Sequence, residues 1–142
     1  MVLRSGFIAV VLLAASAGAG PARPGYLVIV NPASPVMSLD RKFLAQVFLR
    51  RTTRWSDDTP IRPVDLEPDS PARSRFSQEV LSRSVAAVRS YWQQRIFSGE
   101  GLPPPELAGD DAVVAYVASH PGAIGYVASG TRLNGVRAVD LE

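Results

Sequence analysis

The segment Tyr26–Val30, YLVIV, is an unbroken apolar run that Asn31-Pro32 terminates. A run so short and so rich in β-branched residues suits a buried strand. Past a loop prolonged by Ser34-Pro35, the apolar positions change period. Leu39, Phe43, Leu44, Val47 and Phe48 fall on one face of a helix, with Asp40, Arg41, Lys42 and Gln46 outside it. Ser38 is the expected N-cap. Arg50, Arg51 and Arg54 follow near the C-terminus, where cations suit the helix dipole. A buried strand, a proline-bearing loop and an amphipathic helix form the opening unit of an α/β domain.

The same switch of period recurs downstream. Thr59-Pro60 introduces a predicted strand over Ile61–Leu66, and Pro63 marks it as an edge or irregular strand. After Glu67-Pro68-Asp69, the pair Ser70-Pro71 places a capping side chain at N-cap and proline at N1, a strong helix start. Ala72, Phe76, Val80 and Leu81 then share a face. Ser84 starts another helix with Val85, Val88, Trp92 and Ile96, which Gly99 and Gly101 end. Pro103 to Pro105 force an extended connector. Asp110 is the expected cap of a helix bearing Val113, Val114 and Val117, stopped by Pro121-Gly122. Ala123–Val127 and Val136–Leu141 read as strands. Strands alternate with helices, so the predicted class is α/β.

Composition narrows the function. The chain carries 15 basic and 13 acidic side chains, and Lys42 is the only lysine. The cations are scattered rather than clustered along the sequence, so no nucleic-acid partner is expected. Cysteine is absent, which excludes a disulfide framework, a thiolate metal site and a lipoprotein cysteine. Arg4 followed by the apolar run FIAVVLLAA at residues 7–15 reads as a secretory signal peptide over residues 1–22. Cleavage is expected near residue 17, after Ala15-Ser16-Ala17, or near residue 22, after Gly20-Pro21-Ala22. The mature chain, residues 23–142, is then one domain of periplasmic location.

Four stretches resemble the second lobe of the periplasmic phosphate-binding proteins of ABC transporters. Asn31-Pro32-Ala33-Ser34-Pro35-Val36 resembles the family's N-P-x-N-P-V, and Leu39, Leu44, Val47 and Phe48 its following helix. Trp55 matches a family tryptophan. Glu67-Pro68-Asp69-Ser70-Pro71-Ala72-Arg73 stands where the family has E-x-G-S-G-T-R. His120-Pro121-Gly122-Ala123-Ile124-Gly125-Tyr126-Val127 resembles N-P-G-A-I-G-Y-V. The resemblance implies a single three-layer lobe of the type II periplasmic-binding-protein kind, a short central sheet flanked by helices. It also implies a non-enzymatic module that takes phosphate or a similar oxyanion at Ser70, Ala72 and Arg73. Asp69, Pro71 and Ala72 depart from the family's Gly, Gly and Thr, and the first lobe has no counterpart in the sequence.

The residues themselves allow two readings. A helix N-terminus offers free amides and a positive dipole end, to which Ser70 adds a hydroxyl and Arg73 a charge-assisted contact. Alternatively, Ser70 is only a cap and Arg73 a solvated first-turn residue. A helix-end contribution of roughly 0.3–1 kcal/mol and two hydrogen bonds of roughly 1.5–3 kcal/mol each give about 3–7 kcal/mol at most. A millimolar dissociation constant corresponds to about 4 kcal/mol, so the half-site is expected to bind weakly. The alternative role is a protein–protein interaction or sensory module on the same scaffold, docking on a membrane transporter or sensor protein.

Catalysis has little to stand on. His120 beside Pro121 suits a helix C-terminal cap, and no G-x-S-x-G serine occurs. Asp65, Glu67 and Asp69 alternate in a way that a hard cation could use, but an ordinary acidic loop explains them. No metal, cofactor or catalytic residue is expected, and the sequence leaves the oligomeric state open.

Overall fold

A computed structural model describes residues 25–142, so the signal-peptide expectation lies outside the described residues. The strands are β1 (Tyr26–Val30), β2 (Ser38–Leu39), β3 (Arg62–Pro63), β4 (Asp65–Leu66), β5 (Glu106–Leu107), β6 (Ala123–Ala128) and β7 (Arg137–Leu141). The helices are α1 (Arg41–Phe48), α2 (Pro71–Val80), α3 (Val85–Phe97) and α4 (Asp110–Ser119). The main sheet runs β2-β7-β1-β6-β3, and β4 pairs with β5 in a small second sheet. None of the described helices is long and apolar enough to cross a membrane.

The pairing of β1 with β6 sets the layers. It is antiparallel, with Tyr26 opposite Ala128, Val28 opposite Tyr126 and Val30 opposite Ile124. Side chains of opposed residues share a face. That face meets α1 and α2: Phe76 stacks on Tyr126 at 3.8 Å and 5°, and packs edge-on against Phe48 at 4.7 Å. The reverse face meets α4. There a Cβ on Gly125 would lie 2.8 Å from Val113 Cγ1 and 3.0 Å from Val64 Cγ2. Glycine in mid-strand is what lets α4 sit that close to the sheet. The fold is therefore α/β, with a short central sheet between helical layers.

Several local expectations need correction. α1 is capped by Asp40, whose carboxylate accepts the Phe43 N–H, while Ser38 and Leu39 form β2 beside β7. Competition from an edge of the sheet moves the helix start past Ser38. The strand predicted over Ile61–Leu66 divides into β3, paired with β6, and β4, paired with β5. Pro63 cannot donate to a ladder, so the chain changes partner near it. α4 has Gly109 at its N-cap, with φ +92°, and Asp110 lies inside the first turn with its carboxylate accepting the Ala128 N–H at 3.0 Å.

Candidate functional site

Strand directions define two ends of the domain. β3 runs parallel to β6 and opposite to β1. The exit of β4, the exit of β6, the entry of β1 and the N-termini of α2 and α4 thus share one end. Gly25 lies against the Arg75 side chain, and Asp110 of α4 holds Ala128. The loop Asn31–Val36, Trp55 and Pro121-Gly122 lie at the other end. There Asn31, buried, donates from Nδ2 to the Val117 and Ala118 carbonyls at 2.9 and 3.1 Å and accepts the Ala33 N–H. Asn31 closes the C-terminus of α4, which is a structural reason for the Asn-Pro pair. His120 sits at the same helix end as C-cap, its ring stacked on Tyr116 at 3.9 Å. Trp55 is buried and donates from Nε1 to the Gly122 carbonyl at 3.1 Å. It lines a cavity of about 300 Å³ with Pro35, Pro60 and Arg62.

The predicted residues Ser70, Ala72 and Arg73 all fall in the first turn of α2, at the end where β4 and β6 exit. Ser70 is the N-cap and its hydroxyl oxygen accepts the Arg73 N–H at 3.4 Å. Pro71 at N1 has no N–H to offer. The Ala72 N–H has no protein partner among the described residues. The helix end therefore presents one free amide beside a hydroxyl whose proton is uncommitted. Glu67 and Asp69 on the approach are exposed.

Arg73 is placed differently from an exposed first-turn cation. It is 4% exposed. Its Nη1 donates to the Leu66 carbonyl at 2.5 Å and lies 3.3 Å from Asp65 and 3.7 Å from Glu106. Its Nε is buried without a hydrogen-bond partner among the described residues. Asp65, also buried, accepts hydrogen bonds from the Tyr126 hydroxyl and from the Leu66 N–H. Burial pushes the Asp65 carboxyl above the usual carboxylate range. The Arg73 guanidinium opposes that shift, as do the hydrogen bonds from Tyr126 and Leu66. Burial and the adjacent Asp65 charge raise the Tyr126 hydroxyl as well. A buried Asp–Arg–Tyr network thus underlies the first turn of α2 and ties it to β4 and β6.

Sequence reasoning placed Arg73 in the right turn but could not show its partners. Asp65 carried a hint, since a two-residue period along the predicted strand sets it on the same side as Ile61 and Pro63, both buried. Glu106 and Tyr126 are distant in sequence and carried none. The acidic alternation Asp65, Glu67, Asp69 does not gather as a group, because Asp65 is committed to Arg73 and Tyr126.

A short central sheet between helical layers, built as a single lobe, is the periplasmic-binding-protein class of architecture. Residues 22–141 match the PBP superfamily domain model, and the chain belongs to that family. Among solved structures, it is similar to a phosphate ABC transporter substrate-binding protein with bound phosphate from Clostridium perfringens, at TM-score 0.65 and 21% identity over 82% of this chain and 44% of that one. It is similar also to an ABC-type phosphate transport receptor from Vibrio cholerae, at TM-score 0.60 and 21% identity over 82% of this chain and 46% of that one. A third is PstS from Borrelia burgdorferi, at TM-score 0.63 and 16% identity over 82% and 47%. The chain spans less than half the length of each, as a single lobe would. No curated protein matches the sequence.

Proposed function

We propose that this chain is an exported, non-enzymatic solute-binding module that takes phosphate or a similar oxyanion weakly at the N-terminus of α2. One observation supports the reading above others. The unpartnered Ala72 amide and the Ser70 hydroxyl stand together at the helix end, with the guanidinium of Arg73 in the same turn. The oxyanion would accept from the Ala72 N–H and the Ser70 Oγ–H. Arg73 would contribute mainly through its charge, because Nη1 is already held by the Leu66 carbonyl and by Asp65. That charge is partly cancelled by Asp65, and exposed Asp69 repels a dianion. Both effects keep affinity in the millimolar range, where about 4 kcal/mol is available.

Calorimetric titration with phosphate tests this. A millimolar dissociation constant, weakened further by Ser70→Gly, is the expected result. Glycine keeps most of the capping preference while deleting the hydroxyl, so the variant separates binding from folding. Micromolar affinity, no detectable binding, or an unchanged constant in the variant would each count against the reading.

The inward commitment of Arg73 favours a second reading on the same scaffold. A module that has given its arginine to an internal ion pair suits a protein–protein or sensory role, docked on a membrane transporter or sensor.

A further inference from the structure

Three arginines that are far apart in sequence converge on one ring. The guanidinium carbons of Arg51, Arg83 and Arg95 lie 5.8, 4.9 and 5.3 Å from the centroid of Tyr91. The ring is fixed in place: its hydroxyl donates to the Leu49 carbonyl at the end of α1, and it packs edge-on against Trp92 at 5.0 Å. Only Arg95 has a carboxylate within reach, Glu100 at 3.5 Å, and its Nε is buried without a hydrogen-bond partner. Arg51 and Arg83 have no acidic partner among the described residues.

The backbone that delivers these arginines is strained at both deliveries. α1 ends with Arg50 in the left-handed region at φ +57°, and the Arg50 and Arg51 N–H groups return to the Val47 and Gln46 carbonyls. α2 ends with Ser82 at φ +53°. Arg83 is then clamped by buried Ser77, which accepts its N–H at 3.2 Å and donates from Oγ to its carbonyl at 2.6 Å. Glycine is the usual residue at such a position, and α3 uses it, with Gly99 at φ +71° before Glu100. At α1 and α2 the residue after the left-handed turn is an arginine, and both turns aim it at Tyr91. Like charges gathered around one ring repel each other, and ring contact offsets only part of that.

We propose that Tyr91 with Arg51, Arg83 and Arg95 is a docking site for an acidic segment of a partner protein. The partner's carboxylates take the unpaired arginine forks, and Tyr91 forms the apolar floor. Arginine and tyrosine are the side chains that dominate binding hot spots, and the arginine fork matches a carboxylate. The site lies by the C-terminus of α2, about 15 Å along that helix from Ser70 at 1.5 Å per residue. It stands independently of the proposed oxyanion function.

The test uses the full chain and a fluorescein-labelled peptide of alternating Glu and Gly, read by anisotropy. Arg51→Gln/Arg83→Gln is compared with a charge-matched control, Arg62→Gln/Arg132→Gln, at exposed arginines elsewhere. The expected result is binding by the wild type that the first pair weakens about tenfold or more and the control leaves within about twofold. Binding should fade as ionic strength rises from about 0.01 M to about 0.15 M and the screening length falls from about 30 to about 8 Å. If the double variant folds poorly, Arg51→Gln alone, at an exposed side chain, should still weaken binding severalfold. Absence of binding, or equal losses in both pairs, would overturn the proposal. So would preferential binding of inorganic phosphate, or of phosphatidylserine-containing vesicles, over the peptide.

Discussion

Replacing Arg73 by methionine keeps most of the apolar stem volume and removes the charge. Asp65 and Arg73 are 6% and 4% exposed, so water cannot take over the lost partner. Breaking a buried pair from one side costs about 3–5 kcal/mol, which for a domain of this size lowers the melting temperature by about 10–20 °C. The penalty depends on pH, and its sign follows from Asp65. In the wild type the folded carboxyl lies above its ordinary value of 3.8, mainly through burial. A raised value means that this group's contribution is fully present below the ordinary value and is lost as pH rises through the folded one. Arg73→Met removes the opposing guanidinium and pushes Asp65 higher still. The variant should therefore be most destabilised near neutral pH and recover part of the deficit as pH falls toward 4. Asp65→Asn/Arg73→Met, with an amide oxygen still available to the Tyr126 hydroxyl, should return to within about 1–2 kcal/mol of wild type. Urea denaturation at both pH values measures all three proteins. A single-variant cost under about 1 kcal/mol, a cost independent of pH, or no rescue in the double variant would refute the network.

Three further outcomes follow from particular contacts. Gly125→Ala places a Cβ 2.8 Å from Val113 Cγ1, so overpacking between β6 and α4 should cost about 1–3 kcal/mol by chemical denaturation. Ser70→Ala should cost about 1 kcal/mol and Ser70→Gly only a few tenths, as thermal melts would register, because Ser70 is the N-cap of α2. Arg50→Gly and Ser82→Gly relieve left-handed strain and should each stabilise the fold by about 1 kcal/mol. Both glycine variants should still bind the Glu-Gly peptide, since Arg51 and Arg83 remain.

The features legible in the sequence were those set by local chemistry. YLVIV before Asn31-Pro32 forms β1, and Ser70-Pro71 opens α2 with the expected cap, because capping and proline geometry act within a few residues. What stayed hidden depended on distant partners. Ser38 looked like a cap until pairing with β7 made it a strand, and Asp110 looked like a cap until Ala128 claimed its carboxylate. Arg73 could be placed on a helix end, but whether it faced solvent rested on Asp65, Glu106 and Tyr126. Scattered arginines gave no sign of a patch, since Arg51, Arg83 and Arg95 meet only through the ends of three helices.

Thermal melts in phosphate, against chloride at matched ionic strength, test the proposed oxyanion site most directly. With a dissociation constant near 1 mM, about 10 mM phosphate should stabilise the wild type by about 1.4 kcal/mol, an upward shift of several degrees that Ser70→Gly diminishes. Melting curves that coincide in the two salts, or a shift that Ser70→Gly leaves intact, would contradict an anion seat at the start of α2.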